Sequence, residues 1–102
     1  MAMLHTVNKS PFERRSLDSC LRHAVKGSAI LLIEDGIYAA IDGTVVAEKI
    51  KSAVGDHKVY VLGPDLKARG MGDHKLVDGI ETVDYAGFVD LVTEYDKVQS
   101  WL

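Results

Sequence analysis

Ala29-Ile30-Leu31-Leu32-Ile33, followed at once by Glu34-Asp35-Gly36, is the stretch on which the fold turns. Five consecutive apolar residues with no polar alternate do not suit a sheet with one wet face. They suit a strand covered on both faces, the position of a central strand in a parallel sheet. A parallel neighbour cannot be reached through a tight hairpin and needs a crossover of about a dozen residues or more, usually helical. Helices are therefore expected on both sides of the run. Upstream, Leu17, Cys20, Leu21 and Ala24 recur at i, i+3, i+4 and i+7, with Arg22, His23 and Lys26 near the carboxyl end and Gly27 as a stop. Downstream, Val46, Ile50, Ala53 and Val54 share one face of a helix over 45–54, and Gly55 reads as its end.

Further out, Met3-Leu4-His5-Thr6-Val7 reads as a short buried strand that ends in the turn residues Asn8-Lys9-Ser10-Pro11. Ile37 to Ile41 fits either a small helical turn or another extended piece, and Asp42-Gly43 a tight turn. Lys58-Val59-Tyr60-Val61-Leu62 is a third strand, broken by Gly63-Pro64. Asp65 to Arg69 then makes one helical turn closed by Gly70, and 71–78 is a polar, glycine-punctuated loop. Ile80 to Val83 is a fourth strand, after which Asp84 caps a helix carrying Phe88, Leu91, Val92 and Tyr95 at helical spacing. This alternation implies an α/β fold with a mainly parallel sheet, helices on both faces and right-handed crossovers. A tryptophan in the closing Val98-Gln99-Ser100-Trp101-Leu102 is expected to dock, on the domain itself or, as the best candidate for an intermolecular contact, on a neighbour.

With 102 residues the chain has room for one domain, residues 1–102, and one core. Hydrophobic residues at 47% suffice for that core, which must be aliphatic because aromatic residues reach only 7%. No apolar run approaches the roughly 18 to 20 residues of a membrane span, and the first residues lack the pattern of a secretory signal, so a cytoplasmic protein without membrane contact is expected. A net charge of −3 with scattered Lys and Arg offers no basic stripe for direct nucleic-acid binding. His5, His23, His57 and His74 fall at no zinc spacing, and neither G-x-G-x-x-G nor G-x-x-x-x-G-K-[ST] occurs. No metal, nucleotide or other cofactor is expected.

Two features carry possible chemistry. The carboxyl ends of the strands, where ligands gather in open α/β sheets, should bring together Asn8-Lys9-Ser10, Glu34-Asp35-Gly36, Gly63-Pro64-Asp65 and Asp84-Tyr85. Helix capping and turn formation explain these carboxylates more simply than acid–base work. The second feature is Cys20, the one cysteine, which without an internal partner is a buried apolar group, a reactive nucleophile or half of a transient intermolecular bridge. His23 at i+3, with Arg15, Arg22 and Lys26, could favour its thiolate, whereas its place on the apolar stripe favours burial and a raised pKa. Ser10-Pro11-Phe12-Glu13 and Ser16-Leu17-Asp18-Ser19 are alternative helix starts, leaving Cys20 more than two turns or about one turn from the positive helix end.

Leu4-His5-Thr6-Val7 with Ser10-Pro11, Leu31 to Ala40, the run Val59 to Gly70, Asp84-Tyr85-Ala86-Gly87-Phe88-Val89 and Trp101 together resemble the DsrH/TusB family over essentially the whole chain. Cys20 on the first helix makes it most similar to the DsrH branch. The resemblance implies a single-domain, Rossmann-like, three-layer fold with a sheet of four to five strands. It also implies a subunit of a cytoplasmic sulfur relay, assembled with DsrE/TusD-like and DsrF/TusC-like subunits into a heterohexamer. Such a complex passes persulfide sulfur to a DsrC/TusE-like acceptor, in sulfur oxidation or tRNA wobble-uridine 2-thiolation. The principal sulfur-bearing cysteine belongs to the DsrE/TusD-like subunit. Only Cys20 matches a family cysteine here, as a secondary persulfide carrier, and the alternative is a purely structural subunit with no chemistry of its own.

Overall fold

The computed structural model describes residues 3–95 and 97–102. In chain order the elements are β1 (Leu4–Val7), α1 (Ser16–His23), β2 (Ala29–Leu32), a 3-10 helix (Glu34–Ala40), α2 (Ala47–Asp56), β3 (Lys58–Leu62), α3 (Gly63–Ala68), β4 (Glu81–Val83), α4 (Tyr85–Glu94) and β5 (Val98–Trp101). The five strands form one parallel sheet in the order β4-β3-β2-β1-β5, with β2 at its centre. All four residues of β2 are buried, as an uninterrupted apolar run requires.

The strand order explains which helix lies where. From β1 to β4 the chain steps across the sheet in one direction, and right-handed crossovers place the intervening helices on a single face. Val7, Ile30, Leu32, Val59 and Val61 point to that face and pack with Leu17 and Cys20 of α1, Ile37 of the 3-10 helix, Ile50 of α2 and Leu66 of α3. The step from β4 back to β5 reverses direction, and α4 accordingly lies on the other face, where Leu91 meets Leu4, Ala29 and Leu31.

Several boundaries differ from the sequence expectation for local reasons. Ser10 does not open α1. Its hydroxyl accepts from the Phe12 amide at 3.2 Å and its carbonyl accepts from the amides of Glu13 and Arg14, which makes a separate turn. The later start is the observed one, although the Ser16 hydroxyl donates to the Leu102 carbonyl at 3.1 Å and no side chain caps the helix. Gly27 takes its positive φ of 92° four residues past the end of α1, in the turn that leads into β2. Gly55 lies inside α2, and Gly63-Pro64 begins α3, where a proline in the first turn loses no hydrogen bond. Gly36 is required by contact: a Cβ there would run into the Val7 carbonyl oxygen, so the 3-10 helix can cross the end of β1 only on a glycine. The largest addition is β5. The closing residues extend the sheet beside β1, pairing Leu4 with Val98 and Val7 with Trp101.

Candidate functional site

At the carboxyl edge of the sheet the expected carboxylates do come together, each with a structural partner. Asp65 accepts the amide of Glu34 at 2.6 Å, which ties α3 to the 3-10 helix and holds Glu34 at φ 49°, the one non-glycine residue with positive φ among those described. Asp35 accepts from Arg69 Nε at 2.9 Å, and that hydrogen bond is the main reason the guanidinium pKa rises above its ordinary value. Asp84 accepts from the Gly87 amide at 2.8 Å as the cap of α4. Capping and clasping thus engage Asp35, Asp65 and Asp84, while the carboxylate of Glu34 meets the side chain of Asn8 at 3.5 Å. Among the described residues no group of three or more His, Cys, Asp or Glu side chains is arranged to hold a metal ion.

Cys20 occupies the inner stripe of α1, in the apolar cluster with Val7, Leu17 and Ile30. Its relative exposure is 0%. The later helix start puts it about one turn in, as a reactive thiolate would want, yet burial pushes the thiol pKa up to about 12. His23, its neighbour at i+3, is engaged elsewhere. Its Nδ1 lies 2.8 Å from the Ser19 carbonyl oxygen, and its ring stacks on Trp101 with centroids 5.7 Å apart.

Trp101 is the hub of a cluster that sequence spacing did not disclose. Its indole N–H donates to His5 Nδ1 at 3.1 Å, so it docks on its own domain, while Leu102 stays exposed. Because indole can only donate, His5 must accept at Nδ1 and carry its proton on Nε2. That Nε2 is buried and finds no hydrogen-bond partner among the described residues, and burial, followed by the charge of His57, lowers the His5 pKa below 6.5. His57 lines an open cleft of about 430 Å³ between α1 and α2 with Leu21, Lys49, Ser52, Ala53 and Asp56. Lys49 is already paired with Asp18 across this cleft. His5 and Trp101 are 96 residues apart in sequence, so only the parallel pairing of β1 with β5 could have revealed their bond.

Residues 9–98 match the family model described as DsrH like protein. The match covers far more than half of the chain, and curated relatives agree with it. "Protein TusB" of Pectobacterium parmentieri is 37% identical over 100 residues, covering 97% of this chain and 100% of the relative. "Protein TusB" of Shigella flexneri is 37% identical over 99 residues at the same coverage. The chain belongs to the DsrH/TusB family. Among solved structures, this DsrH-like chain superposes on the ychN protein from E. coli with a TM-score of 0.86 at 17% identity, covering 98% of each chain. Protein MTH1491 from Methanobacterium thermoautotrophicum gives a TM-score of 0.72 at 16% identity over 96% of each chain. At such identities these two establish the fold of the DsrH-like chain and nothing about its chemistry.

Proposed function

We propose that this DsrH-like chain is an architectural subunit of a cytoplasmic sulfur-relay complex. In this reading it assembles with DsrE/TusD-like and DsrF/TusC-like subunits, the first of which carries the principal sulfur-bearing cysteine, in a complex that hands persulfide sulfur to a DsrC/TusE-like acceptor. The observation that supports an architectural part is the complete burial of Cys20 beneath α1, with its thiol held far above physiological pH. Persulfide transfer requires an accessible thiolate. Family membership supports the relay, in sulfur oxidation or in tRNA wobble-uridine 2-thiolation.

A second reading keeps Cys20 as a persulfide carrier, favoured by its place about one turn into a helix of only 8 residues. In that step the Cys20 thiolate attacks the outer sulfur of a donor persulfide. A new S–S bond forms on Cys20, the donor S–S bond breaks, and the donor leaves as its thiolate. Incubating the folded chain with a persulfide donor and weighing it intact decides between the two. The architectural reading expects no added sulfur on Cys20 under conditions that load the DsrE-like subunit. A one-sulfur adduct on the native chain at a comparable rate overturns it.

A further inference from the structure

β5 hangs on one side chain. Val98, Gln99 and Ser100 are exposed, and Trp101 alone among the β5 residues joins an apolar cluster, the one packed under α1. The remaining ties are polar. They are the ladder to β1, the one strand beside β5 at that end of the sheet, the Leu4 amide on the Lys97 carbonyl at 3.0 Å, the Thr6 hydroxyl on the Ser100 hydroxyl at 3.2 Å and the Ser16 hydroxyl on the Leu102 carbonyl at 3.1 Å. Water replaces such hydrogen bonds at modest net cost, but it cannot replace the burial of an indole.

The seat of that indole depends on a single proton. His5 points to the same side of β1 as Val7, is 3% exposed, and takes the indole N–H on Nδ1 at 3.1 Å. A proton on Nδ1 would set donor against donor, because indole has no acceptor to offer. Nε2 gives the imidazolium no compensation, since it has no partner among the described residues. A cation with neither nitrogen satisfied cannot stay buried and must reach water. β2 closes one edge of β1, so the way out lies on the β5 side.

The neighbouring groups do nothing to hold the cation in place. β2 and β5, which flank β1, carry no ionisable side chain. α1 contributes His23, stacked on Trp101, and the buried thiol of Cys20, which stays neutral. From the α2 side His57 acts on His5 and opposes its protonation. Around the cleft that His57 lines, Lys49 is paired with Asp18, and Asp56 is exposed.

We propose that the bond from Trp101 to His5 is an acid-released latch: protonation of His5 unseats the indole and frees β5 from β1 while the rest of the sheet stays folded. The two apolar clusters that hold β1 to β4 and their helices contain no β5 residue except Trp101, so they survive its departure. The latch is a property of this fold and does not rest on the relay reading.

Hydrogen exchange of the full chain, followed by mass spectrometry at about pH 7 and about pH 5 and corrected for intrinsic rates, tests the latch. Protection of 98–101 should fall about tenfold or more at the lower pH while β2 and β3 keep theirs, and the emission of Trp101 should shift to the red over the same range. His5→Gln retains an acceptor for the indole but cannot titrate, so its β5 should stay protected at both pH values. Trp101→Phe lacks the N–H, so its β5 should be weakly protected at both. His23→Gln should respond as wild type does. The latch is overturned if protection of β5 does not change with pH, if β2 and β3 lose protection together with it, or if His5→Gln responds to acid as wild type does. A response that disappears in His23→Gln places the proton on another residue and overturns it too. Should His5→Gln fail to melt near wild type at about pH 7, Trp101→Phe decides in its place: an acid response there as large as that of wild type overturns the latch.

Discussion

The two faces of the sheet carry opposite solutions to the same burial problem. On one, α1, the 3-10 helix, α2 and α3 seal the inward residues of β1, β2 and β3 into a continuous core that includes Cys20. On the other, α4 covers Leu4, Ala29 and Leu31 and leaves its own Tyr85, Val89 and Val92 facing water. The thiol of the closed face is buried, and the open face offers apolar area without chemistry. The division leaves the chain rigid on the side that holds the sheet together and apolar toward water on the other.

The contrast can be broken first by truncation. Leu32→Ala on the closed face should cost about 4 kcal/mol, since packed neighbours on every side cannot collapse into the cavity, whereas Leu91→Ala on the open face should cost about 2 kcal/mol because α4 can settle onto the sheet. Equal losses in urea titration would show that the open face is as tightly packed as the closed one. Cys20→Ser comes next, at about 1 to 2 kcal/mol, because it places a hydroxyl in an apolar cluster; Cys20→Ala should cost less. A serine variant as stable as wild type would mean that the thiol reaches water, which would also revive its candidacy as a sulfur carrier.

The smallest expected effect concerns pH. The bond from Trp101 to His5 requires a neutral imidazole, and the folded-state pKa of His5 is held below 6.5 by burial and by His57. The unfolded chain therefore binds this proton more readily. The contribution of His5 to stability is fully present above 6.5 and is lost as pH falls from there through the folded value. His23 stacks on the same indole, with ring centroids 5.7 Å apart. Because Trp101 is the only tryptophan, its fluorescence reports on the strand concerned. The urea midpoint should decline between about pH 6.5 and pH 5, and His5→Phe should reduce the slope. A wild-type midpoint that stays flat over this range would show that the indole–imidazole contact does not hold β5 to the closed face.

What the sequence made legible was whatever depends on neighbours along the chain. β2 could be read because an unbroken apolar run has one comfortable environment, and the cap of α4 because Asp84 and the Gly87 amide are three residues apart. The burial of Cys20 followed from its phase with Leu17 and Leu21. The start of α1 was ambiguous because Ser10 and Ser16 are equally good caps by local chemistry. In the fold Ser10 closes a turn of its own, and Ser16 reaches the Leu102 carbonyl, 86 residues away. β5 was illegible for the same reason. Val98-Gln99-Ser100-Trp101 is a strand only because the edge of β1 is there to receive it, and nothing local announces an indole that completes a buried histidine.

The position of β5 next to β1 also sets a timetable for synthesis. The strand made first is paired on one side by β2, but its other edge waits for a segment made about ninety residues later, which at about 5 to 20 residues per second is roughly 5 to 20 seconds. Throughout that interval Leu4 to Val7 presents a hydrogen-bonding edge to any passing extended chain. β5 is thus the strand that retires the capacity of β1 to aggregate.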